Sequence, residues 1–163
     1  MATLVIYYSQ TGTTELVAHT LAKNLRTSVL EVKDLKNRNG LKNKLLASIS
    51  AFRESKTKIS PARVDLTDYD TIVFGTPTWL GNPTPAILTM IDNCNLTGKD
   101  VILFATMDSN ADSNIERLEE KVKMRGARVI ESFTISTKNK SAEKLISDTE
   151  AIIEMKDLKI YTR

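Results

Sequence analysis

The sequence predicts an α/β protein built on a doubly wound parallel sheet with helices on both faces. Two observations carry that expectation. Apolar strand-like runs alternate five times with helix-like stripes, and parallel neighbours need crossovers, which right-handed connections lay over both faces of a sheet. The chain also has the size for one core, since 163 residues with 41% apolar content suit a single domain over residues 1–163.

The first strand is Leu4-Val5-Ile6-Tyr7-Tyr8, apolar on both pleat faces as a central parallel strand must be. It stops at Ser9-Gln10-Thr11-Gly12-Thr13-Thr14, where a helix opens with Val17, Ala18, Leu21, Ala22 and Leu25 on one face. Ser28 to Val32 reads as the second strand, and Leu41, Leu45, Leu46, Ile49 and Phe52 form a helical stripe inside a basic segment. The third strand runs from Thr71 to Gly75. Pro83 and Pro85 then lie at the start of a short helix through Ile87, Leu88 and Ile91, where a missing N–H costs little. Val101 to Ala105 is the fourth strand. Ser113 with Glu116 matches a capping box for a helix through Ile115, Leu118 and Val122, with Gly126 as a left-handed stop. Arg128 to Ile135 is the fifth strand, and a last helix starts near Ser141 with Leu145, Ile146, Thr149, Ile152 and Ile153 on its stripe. Residues from Lys156 onward show no clear pattern.

Ligands of such sheets sit at the carboxyl ends of the strands, near a switch point, which directs attention to the segments after Tyr8, Gly75 and Ala105. Ser9 to Thr14 offers four hydroxyls, a glycine and the amides of a helix start, a donor set for an anion. It holds no cation. The next one, Lys23, lies roughly 13 Å beyond Thr14 at about 1.5 Å per helical residue. Several hydrogen bonds to a charged group, each worth about 1.5 to 3 kcal/mol, would retain a phosphate dianion without an ion pair. The plainer reading is that these residues only cap a helix. The second segment, Thr76-Pro77-Thr78-Trp79-Leu80-Gly81-Asn82-Pro83-Thr84-Pro85, carries the chain's one tryptophan between three prolines. Trp79 either covers a flat aromatic ligand or folds back over the core. The third, from Thr106 through Met107 and Asp108 to Asp112, has no aromatic.

Ser9-Gln10-Thr11-Gly12-Thr13-Thr14 resembles the phosphate loop of flavodoxins, and Thr76 to Pro83 resembles that family's first flavin-ring loop. The likeness spans nearly the whole chain. It implies five strands in the order 2-1-3-4-5 and FMN held without covalent attachment. The FMN phosphate would lie in the Ser9–Thr14 loop, with its ring between Thr76, Pro77, Thr78, Trp79, Leu80 and Gly81 on one side and Thr106, Met107 and Asp108 on the other. Trp79 would stack on or edge the ring, and Gly81 would supply the peptide facing its central nitrogen. Without an aromatic in the third segment, the other ring face is open or covered by Met107 or a partner. By the same resemblance the protein is an electron carrier between redox partners.

Net charge is +3, but Lys36, Arg38, Lys42, Lys44, Arg53, Lys56, Lys58 and Arg63 oppose Glu54 alone in one strip of +7, which leaves −4 for the remainder. Lys36 and Arg38 should lie on the phosphate rim and guide an acidic redox protein; the alternative is a solvated helix face. Nucleic acid is not expected, because neither aromatic interleaving nor a groove-entering motif is present. His19 and Cys94 are the only residues of their kinds, so neither a zinc site nor a disulfide is expected, and Cys94 reads as a small buried hydrophobe. The start of the chain shows no basic leader and no apolar run reaches bilayer length, so a soluble, cytoplasmic protein is expected. No Walker loop, Rossmann glycine triad or acidic receiver cluster appears. Two other functions stay open: an NAD(P)H-dependent reductase of quinones or other small acceptors, and a cofactor-free binding or regulatory module on the same fold.

Overall fold

Strand β1, Thr3–Tyr7, is buried at all five positions because both of its faces are covered. Leu4, Ile6 and Tyr8 point into one apolar layer, Val5 and Tyr7 into another. This is the period-2 alternation of a central strand, and it explains why the run is apolar throughout. The computed structural model describes residues 2–36, 56–108 and 113–162. The proposed helical stripe from Leu41 to Phe52, and with it Arg38, lies outside the described residues.

Parallel partners flank β1 on both sides. Strand β2, Ser28–Glu31, pairs with it at the sheet edge, and Val32 beyond β2 donates its N–H to the Tyr7 carbonyl at 2.7 Å. Two short strands, β3 (Lys33–Asp34) and β4 (Ile59–Ser60), form a separate antiparallel ladder. On the other side of β1 lies β5, Thr71–Trp79. A two-residue strand, β6 (Asn82–Pro83), folds back on the end of β5. Strands β7 (Asp100–Met107) and β8 (Arg128–Ser136) complete a sheet of order β2-β1-β5-β7-β8, all parallel along that path. Counted by the five long runs, this is the expected 2-1-3-4-5.

Among the described residues, four α-helices cover it. Helix α1 (Thr13–Leu25) and helix α4 (Ala142–Met155) bury Val17, Leu21, Leu145 and Ile153 against Val5, Val73, Ile102 and Phe104. Helix α2 (Pro85–Asn93) and helix α3 (Ser113–Met124) bury Ile87, Met90, Ile91, Leu118 and Val122 on the opposite face. Full burial of each such side chain contributes about 1.5 to 3 kcal/mol, so the two layers are the main source of stability. Cys94 is buried at the end of α2 with its thiol 3.5 Å from the Met90 sulfur, and burial pushes its pKa up.

Three details differ from the sequence reading. Strand β5 does not end at Gly75 but continues through Thr76, Pro77, Thr78 and Trp79, because β6 pairs with its tip and β7 still runs alongside as far as Pro77 and Thr106. Pro83 therefore belongs to β6, and Pro85 alone takes the first turn of α2. The chain end, without pattern in the sequence, closes in a 3-10 helix, Leu158–Thr162, whose Leu158 is fully buried. Helix α3 starts at Ser113, and Gly126 beyond it takes φ +84 as expected of a left-handed stop.

Candidate functional site

At the end of β1, the Tyr8 N–H donates to the Gly75 carbonyl at 3.1 Å, tying the exit of β1 to β5. Ser9 then accepts a hydrogen bond on Oγ from the Gly12 N–H at 3.1 Å, which pulls the turn closed. Gly12 caps α1 with φ +95, a conformation that glycine adopts without the Cβ penalty, and no heavy atom stands within 4 Å of where a Cβ would be. The turn is an open cradle over the positive end of α1. Gln10 and Thr11 are exposed, and the hydroxyls of Thr11 and Thr13 lie 3.4 Å apart at its lip. Thr14 is different. It is buried, and its hydroxyl lies 2.6 Å from that of Thr106 at the end of β7.

The second segment is a hairpin. Thr78 pairs with Pro83 and Trp79 with Asn82, leaving Leu80 and Gly81 as a two-residue connection. Both take positive φ, +50 and +72, as the turns that match strand twist demand. At the hairpin base, the buried Thr76 hydroxyl lies 3.0 Å from that of Thr84 and accepts from the Thr84 N–H at 3.1 Å. The indole of Trp79 is half-buried and meets the Tyr8 ring edge-on, with centroids 5.7 Å apart at 84°. Trp79 thus rests partly on the core, and through Tyr8 it joins the hairpin to the first loop.

Asn82 is buried, donates from Nδ2 to the Leu80 carbonyl at 2.8 Å, and accepts on Oδ1 from the Arg117 guanidinium of α3 at 3.3 Å. The three segments carry no lysine or arginine of their own, yet the fold brings one to the hairpin across 35 positions of chain. Neither Arg117 nor Tyr8 was singled out as a binding residue from the sequence; Arg117 reads as one polar position on an amphipathic helix.

In the third segment Thr106 and Met107 are buried and Asp108 is exposed, its carboxylate accepting from the Thr137 hydroxyl at 3.0 Å. Asp112 lies outside the described residues. Lys36, beyond β3, is exposed, and its N–H donates to Asp34 Oδ1 at 3.0 Å. His19 is exposed on α1, with its ring against that of Tyr7. Tyr7 has its phenol pushed up to about 12, first by burial and then by the carboxylates of Glu31 and Glu15. Among the described residues no group of three or more His, Cys, Asp or Glu side chains could hold a metal ion.

The described parts of the three segments follow the carboxyl ends of β1, β5 and β7, the edge at which open parallel sheets hold ligands. The sequence model of the flavodoxin family matches residues 2–138. The chain belongs to the flavodoxin family. Among solved structures it is similar to a presumed flavoprotein from Bacteroides uniformis, with a TM-score of 0.73 and 24% identity over 91% of this chain and 97% of that one. A flavoprotein from Lactobacillus acidophilus in complex with FMN matches at TM-score 0.67 and 23% identity, covering 82% of this chain and 92% of that one. Oxidised Flavodoxin 1 from Bacillus cereus matches at TM-score 0.56 and 22% identity, covering 94% and 98%. At these identities the likeness is one of fold.

The donor set of this flavodoxin-family site fits a phosphate monoester. Ser9, Thr11 and Thr13 carry hydroxyls around a left-handed glycine at a helix start, and the open space above Gly12 leaves room for an anion. Glu15, in the first turn of α1, is exposed and lies 4.0 Å from the His19 ring.

Proposed function

We propose that this chain binds FMN without covalent attachment and carries electrons between redox proteins. Membership of the flavodoxin family and the FMN-bound neighbour of the same fold support the cofactor. One observation carries the reading: the hydroxyl-lined cradle at Gly12 and the Trp79 hairpin lie side by side, joined through the Tyr8–Trp79 ring contact. Within the reading, Ser9, Gln10, Thr11, Gly12, Thr13 and Thr14 form the phosphate site. Thr76, Pro77, Thr78, Trp79, Leu80 and Gly81 line one side of the ring, and Thr106, Met107 and Asp108 the other. FMN supplies the redox chemistry when bound; the protein positions it and limits access of water.

Lys36 is exposed, and in this reading it would guide an acidic partner by raising the encounter rate. No helix among the described residues is long and apolar enough to cross a membrane. A cytoplasmic location belongs to the proposal as the setting of a carrier between redox proteins. The test is an absorption spectrum of the purified protein, followed by anaerobic mixing with NADPH. Yellow protein whose colour leaves with FMN on denaturation, and which NADPH does not bleach, supports the carrier. Rapid bleaching supports the small-acceptor reductase in its place. Colourless protein that takes up no added FMN rejects both.

A further inference from the structure

A chain of contacts runs from helix α3 to the hairpin that carries Trp79. The Arg117 guanidinium donates to Asn82 Oδ1 at 3.3 Å, and Asn82 Nδ2 donates to the Leu80 carbonyl at 2.8 Å. Asn82 is buried, where a polar amide is held by its hydrogen bonds. The peptide between Leu80 and Gly81 is planar and trans, so holding its carbonyl toward Asn82 turns the Gly81 N–H the opposite way. Leu80 and Gly81 both sit at positive φ, a conformation that carries a cost at Leu80 and that surrounding contacts must hold. Arg117 is half-buried, so its charge is incompletely screened, and it is fixed on the hairpin rather than waving in solvent.

We infer that Arg117 is a positioning residue that also biases the electron equilibrium of the site: through Asn82 it sets the Leu80–Gly81 peptide, and its charge favours the electron-rich, anionic form of the bound flavin. The inference rests on the FMN reading above. It reverses what the three loops alone imply, because a site without its own cations should make reduced, anionic flavin costly. The sequence places the compensating charge on a helix, 35 residues from the atom it touches.

The experiment compares FMN-loaded wild type, Arg117→Gln and Arg117→Lys. Each is titrated anaerobically with dithionite against a reference dye, and the affinity for oxidised FMN is read from fluorescence quenching. Amide exchange at Gly81 is followed by NMR on the same samples. Arg117→Gln is expected to bind fully reduced FMN about tenfold more weakly relative to oxidised FMN. For the two-electron couple between oxidised and fully reduced FMN that is a midpoint shift of about 30 mV to more negative potential. The effect should shrink at high salt. Arg117→Lys should stay near wild type in potential while its Gly81 amide exchanges faster, a split that a merely structural role would not produce. Should Arg117→Gln fail to fold, Arg117→Met, which keeps the aliphatic stem, carries the same test. A folded, yellow neutral variant with wild-type potential overturns this inference alone. Wild type that takes up no FMN removes the FMN reading and this inference together.

Discussion

The hydroxyls of Thr14 and Thr106 lie 2.6 Å apart in the interior, 92 residues distant in sequence. One belongs to the first turn of α1 and the other to the end of β7, so a single hydrogen bond registers the cradle against the third segment. Thr14→Val keeps the shape and removes the partner, leaving the Thr106 hydroxyl buried without it. The expected cost is about 1–3 kcal/mol, read as a lower urea midpoint at unchanged slope. Thr14→Ser, which restores the hydroxyl, should recover most of it.

Leu80 occupies a turn position at φ +50 with its side chain 48% exposed. A left-handed backbone costs an ordinary residue about 1–2 kcal/mol, and asparagine before glycine is the preferred pair in such turns. Leu80→Asn should therefore raise stability by about 1 kcal/mol, measured by denaturant unfolding. A drop would mean that the leucine side chain repays its strain through contacts with the hairpin.

Trp79→Ala removes the ring that meets Tyr8 and flanks the proposed flavin position. An aromatic contact is worth about 0.5–1.5 kcal/mol beyond area, so FMN should bind about two- to tenfold more weakly. Fluorescence titration of the protein with FMN reads this directly. Unchanged affinity would place the flavin away from the hairpin.

Tyr7 links ionisation to folding. Its phenol rises from the ordinary 10.0 to about 12 in the folded chain, so the folded state holds its proton where the unfolded state releases it. The stability this contributes is fully present below pH 10 and is lost as pH rises from 10 to about 12. Tyr7→Phe should flatten the fall in urea midpoint across that window. An identical slope in the variant would assign the alkaline loss to other groups.

Much of the sheet was legible because burial on both faces writes itself into composition. Val5 and Tyr7 serve one layer while Leu4 and Ile6 serve the other, so the first strand could only be central. The extension of β5 was not legible, since Thr76-Pro77-Thr78 after a glycine carries loop signals, and β6 is two residues long. Proline at 77 is tolerated in a strand that is already leaving the main sheet for a hairpin. The cradle was legible as a run of hydroxyls around Gly12, but the inward turn of Thr14 was not, because its partner lies on a distant strand. Arg117 was hidden for the same reason: local pattern gives a helical face, and only packing says what that face meets.

The family match ends at residue 138, yet the fold continues beyond it. Leu145, Ile153 and Leu158 complete the layer over Val5, Val73 and Phe104, and the Tyr161 carbonyl accepts from the Thr71 hydroxyl at 3.4 Å. Any graft, fusion or circular permutation that kept only the matched stretch would bare one side of the sheet to water. The portable unit is therefore the longer one, with its closing helices treated as part of the scaffold rather than as a tail.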